Sequence, residues 1–229
     1  KTRATATLRQ RHIPPNVTTH FKMNREWNDI KWMFEPDGSL RDIYIQDVSL
    51  SDWDELIDFL NKNFNLTFGD KNKIDKDYVL KYLQQTNRQN ACQPLFINLE
   101  HIKVHCYFFH PEEIEFDIDP KEINSITDFE LIETFMVSIS KALGLQVTMT
   151  EENSPKFPLF KVDVKNGINK VLTVEEANRL RSKMNTISIQ IKNLTTRLKM
   201  ILFPKQFEKQ IIASANKEYK PAKKEKNVW

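Results

Sequence analysis

Three histidines and a cysteine fall close together in this chain, at His101, His105, Cys106 and His110. Imidazole and thiolate are common zinc ligands and common partners in nucleophilic catalysis. The spacing argues against both. On a regular strand His101 and His105 share a face but stand about 13 Å apart, at ~3.3 Å per residue. Two ligands that must each reach one metal at about 2 Å cannot do so from there without another element folding in. Ordinary strand positions are the expectation, and nothing in the sequence brings a Ser-His-Asp or Cys-His set together.

Carboxylates are the next candidates. In Phe116-Asp117-Ile118-Asp119-Pro120 the acids alternate with apolar residues, so Asp117 and Asp119 share one strand face, as a metal-binding or acid/base pair would. Asp42 takes the corresponding place in an earlier, similar segment. Alternation alone predicts an exposed polar sheet face here, and that is the expectation for Asp42, Asp117 and Asp119. The chain has four glycines and neither a G-x-G-x-x-G nor a G-x-x-x-x-G-K-[ST] run, which excludes a glycine-lined phosphate cradle. No cofactor, metal or catalytic residue is assigned.

The elements that position these residues repeat once. Ile30–Asp37 is echoed by His105–Glu112, and Glu55–Asp58 by Glu130–Glu133, both at an offset of 75; Leu66–Asn72 is echoed by Val147–Asn153 at an offset of 81. Such a self-match is read as an internal repeat. The first copy, about 27–72, predicts a strand at Ile30–Phe34, a turn at Pro36-Asp37-Gly38 and a strand at Leu40–Val48 forming a hairpin. A helix over Ser51–Phe64 follows, then a strand at Leu66–Phe68. The second copy, about 102–153, predicts strands at Ile102–Phe109 and Ile114–Ile118. Its helix opens on the capping box Thr127-x-x-Glu130, and a strand at Gln146–Met149 closes it. A short helix near Lys76–Gln85 and a strand at Leu95–Leu99 lie between the copies. After them, Phe157–Val164 and Lys170–Val174 flank Asn166-Gly167, a strong hairpin signal.

From Thr173-Val174-Glu175-Glu176, a further capping box, the pattern changes. Leu180, Met184, Ile187, Ile191, Leu194, Leu198 and Ile201 are spaced 4, 3, 4, 3, 4, 3, a heptad seam and a candidate assembly surface. Pro204 interrupts it, and a second helix is read over Lys205–Lys217. The expected fold is α+β: duplicated antiparallel sheet-plus-helix units, followed by a long C-terminal helix or helical hairpin arm. The domains read as a basic arm at 1–26, a duplicated α+β domain at 27–172, a helical arm at 173–217 and a charged tail at 218–229.

Charge is segregated along the chain. Residues 27–154 hold 11 basic and 24 acidic side chains, a net of −13; residues 155–229 hold 17 and 6, and residues 1–26 hold 6 and 1. An acidic body therefore lies between basic ends, the last carrying Lys220, Lys223, Lys224 and Lys226. Phosphate neutralisation dominates nucleic-acid affinity, so such a body does not suit nucleic acid. The leading expectation is a non-enzymatic protein-binding or assembly module, of an inhibitor or immunity type, that docks a basic partner on its acidic body and self-associates through the C-terminal helix. The alternatives are nucleic-acid association through the basic ends, and an enzyme with its site at the repeat interface. Cys92 and Cys106 allow at most one bridge, which favours a reducing, cytoplasmic setting. No stretch approaches the ~18 to 20 apolar residues of a membrane span.

Overall fold

Alternating apolar and polar residues build the sheet, and its apolar face sets where the helices lie. The computed structural model describes residues 25–88 and 90–202. The strands are β1 (Arg41–Gln46), β2 (Asn65–Phe68), β3 (Leu95–Leu99), β4 (Ile102–His110), β5 (Glu113–Ile118), β6 (Val147–Glu151), β7 (Pro158–Asp163) and β8 (Ile168–Val171). They form one eight-stranded sheet in the order β2-β3-β4-β5-β1-β6-β7-β8, with every neighbouring pair antiparallel. Ile43 and Ile45, Val104 and Cys106, Ile114 and Phe116, and Val147 and Met149 are all buried. In each pair the residues stand two apart and so share a face.

Helices α2 (Leu50–Asn63), α3 (Lys76–Leu83) and α4 (Ile126–Leu143) cover that face. Helix α2 buries Trp53, Leu56, Ile57 and Leu60, and α4 buries Phe129, Ile132, Phe135, Met136 and Ile139, both at helical spacing. Rings join the layers: Phe135 meets Phe116 and Phe64 edge to face, and Trp53 meets Phe108. Helix α2 starts with a reciprocal Ser49–Asp52 capping box. Helix α4 is capped by Ser125, whose hydroxyl accepts from the Asp128 amide, rather than by the expected Thr127 box. It ends at Gly144, whose φ of +65° suits the left-handed closing turn.

The expected strand at Ile30–Phe34 is helical. Helix α1 (Trp27–Ile30) runs into a 3₁₀ turn at Lys31–Phe34, and the buried residues are Ile30, Met33 and Phe34. Those positions stand at i, i+3 and i+4, and this spacing prevailed over the 30-32-34 alternation; so short an apolar run fits either period. The expected hairpin is therefore absent, and β1 pairs with β5 and β6 instead. The echoed segments keep a common strand–helix–strand run, β1-α2-β2 and β5-α4-β6. Their closing strands part company: β6 lies against β1, whereas β2 lies at the edge beside β3. The structure thus does not show a duplication.

The chain divides into two compact units, Lys1–Ala177 and Asn178–Trp229. Helix α5 (Val174–Leu202) opens on the expected Thr173–Glu176 box, with the Glu176 amide donating to Thr173 Oγ1 and the Thr173 amide donating to Glu176 Oε2. The arm at 1–24, the helix read at 205–217 and the tail lie outside the described residues. Among the described residues, no helix is long and apolar enough to cross a membrane.

Candidate functional site

The sheet face away from the helices carries the polar residues, and the antiparallel register arranges them in rows. Across β5 and β1, Asp117 pairs with Asp42, Glu115 with Tyr44 and Glu113 with Gln46. On the other side of β5, His105 of β4 pairs with Asp117 and Tyr107 with Glu115; one strand further, Phe96 of β3 pairs with His105. An acidic and hydroxyl-bearing band on β5 and β1 therefore runs beside an aromatic band on β3 and β4.

The acidic band is tightly set. Tyr44 Oη donates to Asp42 Oδ2 at 2.8 Å and to Glu115 Oε1 at 3.4 Å, and the Asn153 amide donates to Asp42 Oδ2 at 2.7 Å. Gln46 Nε2 donates to Glu113 Oε2. His105 Nδ1 lies 3.2 Å from Asp117 Oδ1 but off the hydrogen-bonding direction, so that oxygen accepts no hydrogen bond. Burial, then the charges of Asp42, Glu115 and Glu152, pushes the Asp117 carboxyl from 3.8 up to about 7. Asp42 is raised by burial against the opposing pull of the Asn153 amide and Tyr44, and Glu115 by burial and its acidic neighbours. Burial also lowers His105. Like charges crowded in a partly dry place favour protonated carboxyls.

The aromatic band is more open. Tyr107 and Phe109 stack at 5.1 Å with rings 10° from parallel, His105 meets Phe96 edge to face at 5.0 Å, and the Lys103 ammonium sits 5.7 Å from the Phe96 ring centre. Phe109 is 52% exposed. A register shift between Tyr107 and His110 marks this end of β4.

Two cavities are lined by described residues of the first unit. One, of about 520 Å³, lies beside the acidic band and is lined by Tyr44, Gln46, Thr148, Lys156 and Lys161 among others. The other, of about 560 Å³, is a groove between α2 and α4 lined by Phe59, Phe64, Leu131 and Phe135 with a charged rim.

The candidates singled out in the sequence fare differently. Asp42 and Asp117 are brought opposite one another but are 3% and 6% exposed, not an open polar surface. The Asn153 amide closes on Asp42 from the turn after β6, a contact that strand alternation does not reveal. Asp119 instead caps the 3₁₀ turn Pro120–Glu122, accepting from the Lys121 amide. His101 Nε2 lies 3.2 Å from Asp128, away from His105. Among the described residues no group of three His, Cys, Asp or Glu side chains is placed to hold a metal. Both cysteines are free thiols.

Along the seam, Leu180 is half-buried while Met184, Ile187 and Leu194 are 44%, 54% and 58% exposed. The Ile191, Leu198 and Ile201 side chains, and Lys220, Lys223, Lys224 and Lys226, lie outside the described residues. Glu115, Tyr44, Tyr107 and Phe109 escaped the sequence reading. Parity with Asp117 and Asp42 would have put Glu115 and Tyr44 on the right face, but only the register joins them. No family model, curated protein or solved structure matches the chain.

Proposed function

We propose that the chain is a non-enzymatic protein-binding module that docks a basic partner on the acidic band of the sheet face away from its helices, with α5 as an assembly arm. The observation that carries this reading is the half-exposed pair Glu113 and Glu115, set on one face beside the buried Asp117 and Asp42. Glu113 and Glu115 form no ion pair there among the described residues. Half-exposed carboxylates without cations of their own attract a cationic surface and steer its approach. An inhibitor or immunity-type role fits such a surface. The stripe of Met184, Ile187 and Leu194 supports self-association through α5, because burying large aliphatic side chains is worth about 1.5 to 3 kcal/mol each.

An enzymatic reading has one observation in its favour, the Asp117 carboxyl held near neutrality beside His105. Its weakness is access: Asp117 Oδ1 is buried, and the adjoining cavity is lined by Tyr44 and Thr148 rather than by Asp42 or Asp117. The test is fluorescence anisotropy of a labelled hexalysine peptide with the full chain. Binding that weakens on Glu113→Gln with Glu115→Gln, and that falls with added salt, is the expected result. Absence of binding to both hexalysine and hexa-arginine overturns the reading. Tight, steeply salt-dependent binding to a random DNA duplex would instead favour nucleic-acid association through the basic ends.

A further inference from the structure

The aromatic band has no part in a purely electrostatic docking face. Tyr107 and Phe109 present stacked rings on the same face as Glu113 and Glu115, and the pairs Tyr107–Glu115 and His110–Glu113 set rings and carboxylates on neighbouring strands. Neighbouring strands lie about 4.8 Å apart. A flat cation resting on a ring there has a carboxylate within one strand spacing. The face already holds a cation–ring contact of its own, the Lys103 ammonium over Phe96. Beneath the half-exposed glutamates, the Asp117 side chain is nine-tenths buried and one of its oxygens accepts no hydrogen bond, so the face holds more acceptors than donors of its own.

Arginine meets these demands better than lysine. Its guanidinium is planar, stacks on aromatic faces, offers five donors in a fixed fork and is more weakly hydrated than an ammonium. A lysine ammonium is a compact, strongly hydrated point charge that gains from the carboxylates but gains less from the rings. Resting on the docking reading above, we propose that this face is selective for arginine, with partner guanidinium groups stacking on the Tyr107–Phe109 pair while bonding Glu113 and Glu115. The partner is thus a protein segment rich in arginine.

The experiment compares labelled hexa-arginine and hexalysine peptides on the full chain, for wild type, Phe109→Leu, and Glu113→Gln with Glu115→Gln. Phe109 is exposed, so its leucine variant leaves the core untouched and keeps apolar area while removing the π face. Expected is a preference for hexa-arginine of about fivefold, the scale of an exposed cation–π contact. Phe109→Leu should erase that preference, and the glutamine pair should weaken both peptides. Equal binding of the two peptides overturns the arginine selectivity, although weakening by the glutamine pair would leave the acidic docking reading standing. An arginine preference that survives in Phe109→Leu removes the rings from the account. If neither peptide binds, the docking reading falls and the selectivity with it.

Discussion

Asp117 is a carboxylate whose surroundings work against its charge. Burial and its acidic neighbours hold its pKa at about 7 in the folded chain, against an ordinary 3.8. The folded state therefore holds this proton more tightly than the unfolded chain does. The stability it contributes is complete below about pH 4 and is lost as pH rises through about 7. Asp42 and Glu115 are raised in the same sense. Urea unfolding should show wild type losing stability between pH 5 and 7.5, with Asp117→Asn flattening the loss and being the more stable protein at pH 7.5. A steeper loss in the variant would show that Asp117 is not the titrating group.

Arg41 works the other way, as a cation that holds polar groups together. It is buried, and it donates to the carbonyls of Met33, Glu35, Ser39 and Leu40 while pairing with Asp37. Arg41→Met should cost more than about 2 kcal/mol, because several carbonyls lose their donor at once. Chemical denaturation measures this, and a loss within about 0.5 kcal/mol would mean the 35–40 loop is satisfied by water. No residue pattern signals this role, since a lone arginine at a strand start looks like an exposed one.

Among the elements, α2 and α4 were legible because their apolar residues hold helical spacing over many turns; Leu56 and Ile139, on those apolar faces, are both fully buried. Leu56→Ala or Ile139→Ala should each lower stability by about 2 to 5 kcal/mol in denaturant titrations. Strands β3, β4, β5 and β7 were legible from alternation bounded by turn residues, and the β7–β8 hairpin from Asn166-Gly167. Residues 30–34 were not, because five residues are too few to separate the two periods. The heptad pattern of α5 was legible as a pattern, whereas its occupant is not written in one chain. Charges placed mid-seam by Ile187→Asp with Leu194→Asp should turn an oligomer into a monomer while the far-ultraviolet dichroism of the sheet unit is kept. Sedimentation velocity checks this, and a wild type that is monomeric across the micromolar range overturns the proposed assembly role of the arm.

At the scale of the whole molecule, the antiparallel α+β class could be read from the sequence, but the strand order could not. Periodicity tells which residues share a face of one strand; it carries no information on which strands become neighbours. The acidic and aromatic bands depend on that missing information, because Asp42 meets Asp117 and Tyr107 meets Glu115 only through pairings between distant segments.

The same order has a consequence for how the chain is made. Ile43 pairs with Phe116 on one side and Met149 on the other, so β1 is flanked by strands synthesised long after it. A nascent chain leaves the ribosome at about 5 to 20 residues per second. Both ladders of β1 therefore stay open for several seconds, through the emergence of α2, α3 and the β3–β4 hairpin. Loop closure over such separations is slow, and the apolar side chains of Ile43 and Ile45 wait meanwhile beside an unpaired backbone. Release of residue 151 should be the event that commits the sheet. In arrested nascent chains of increasing length, protease resistance of β1 should appear abruptly once β6 has cleared the exit tunnel, and not when β5 has.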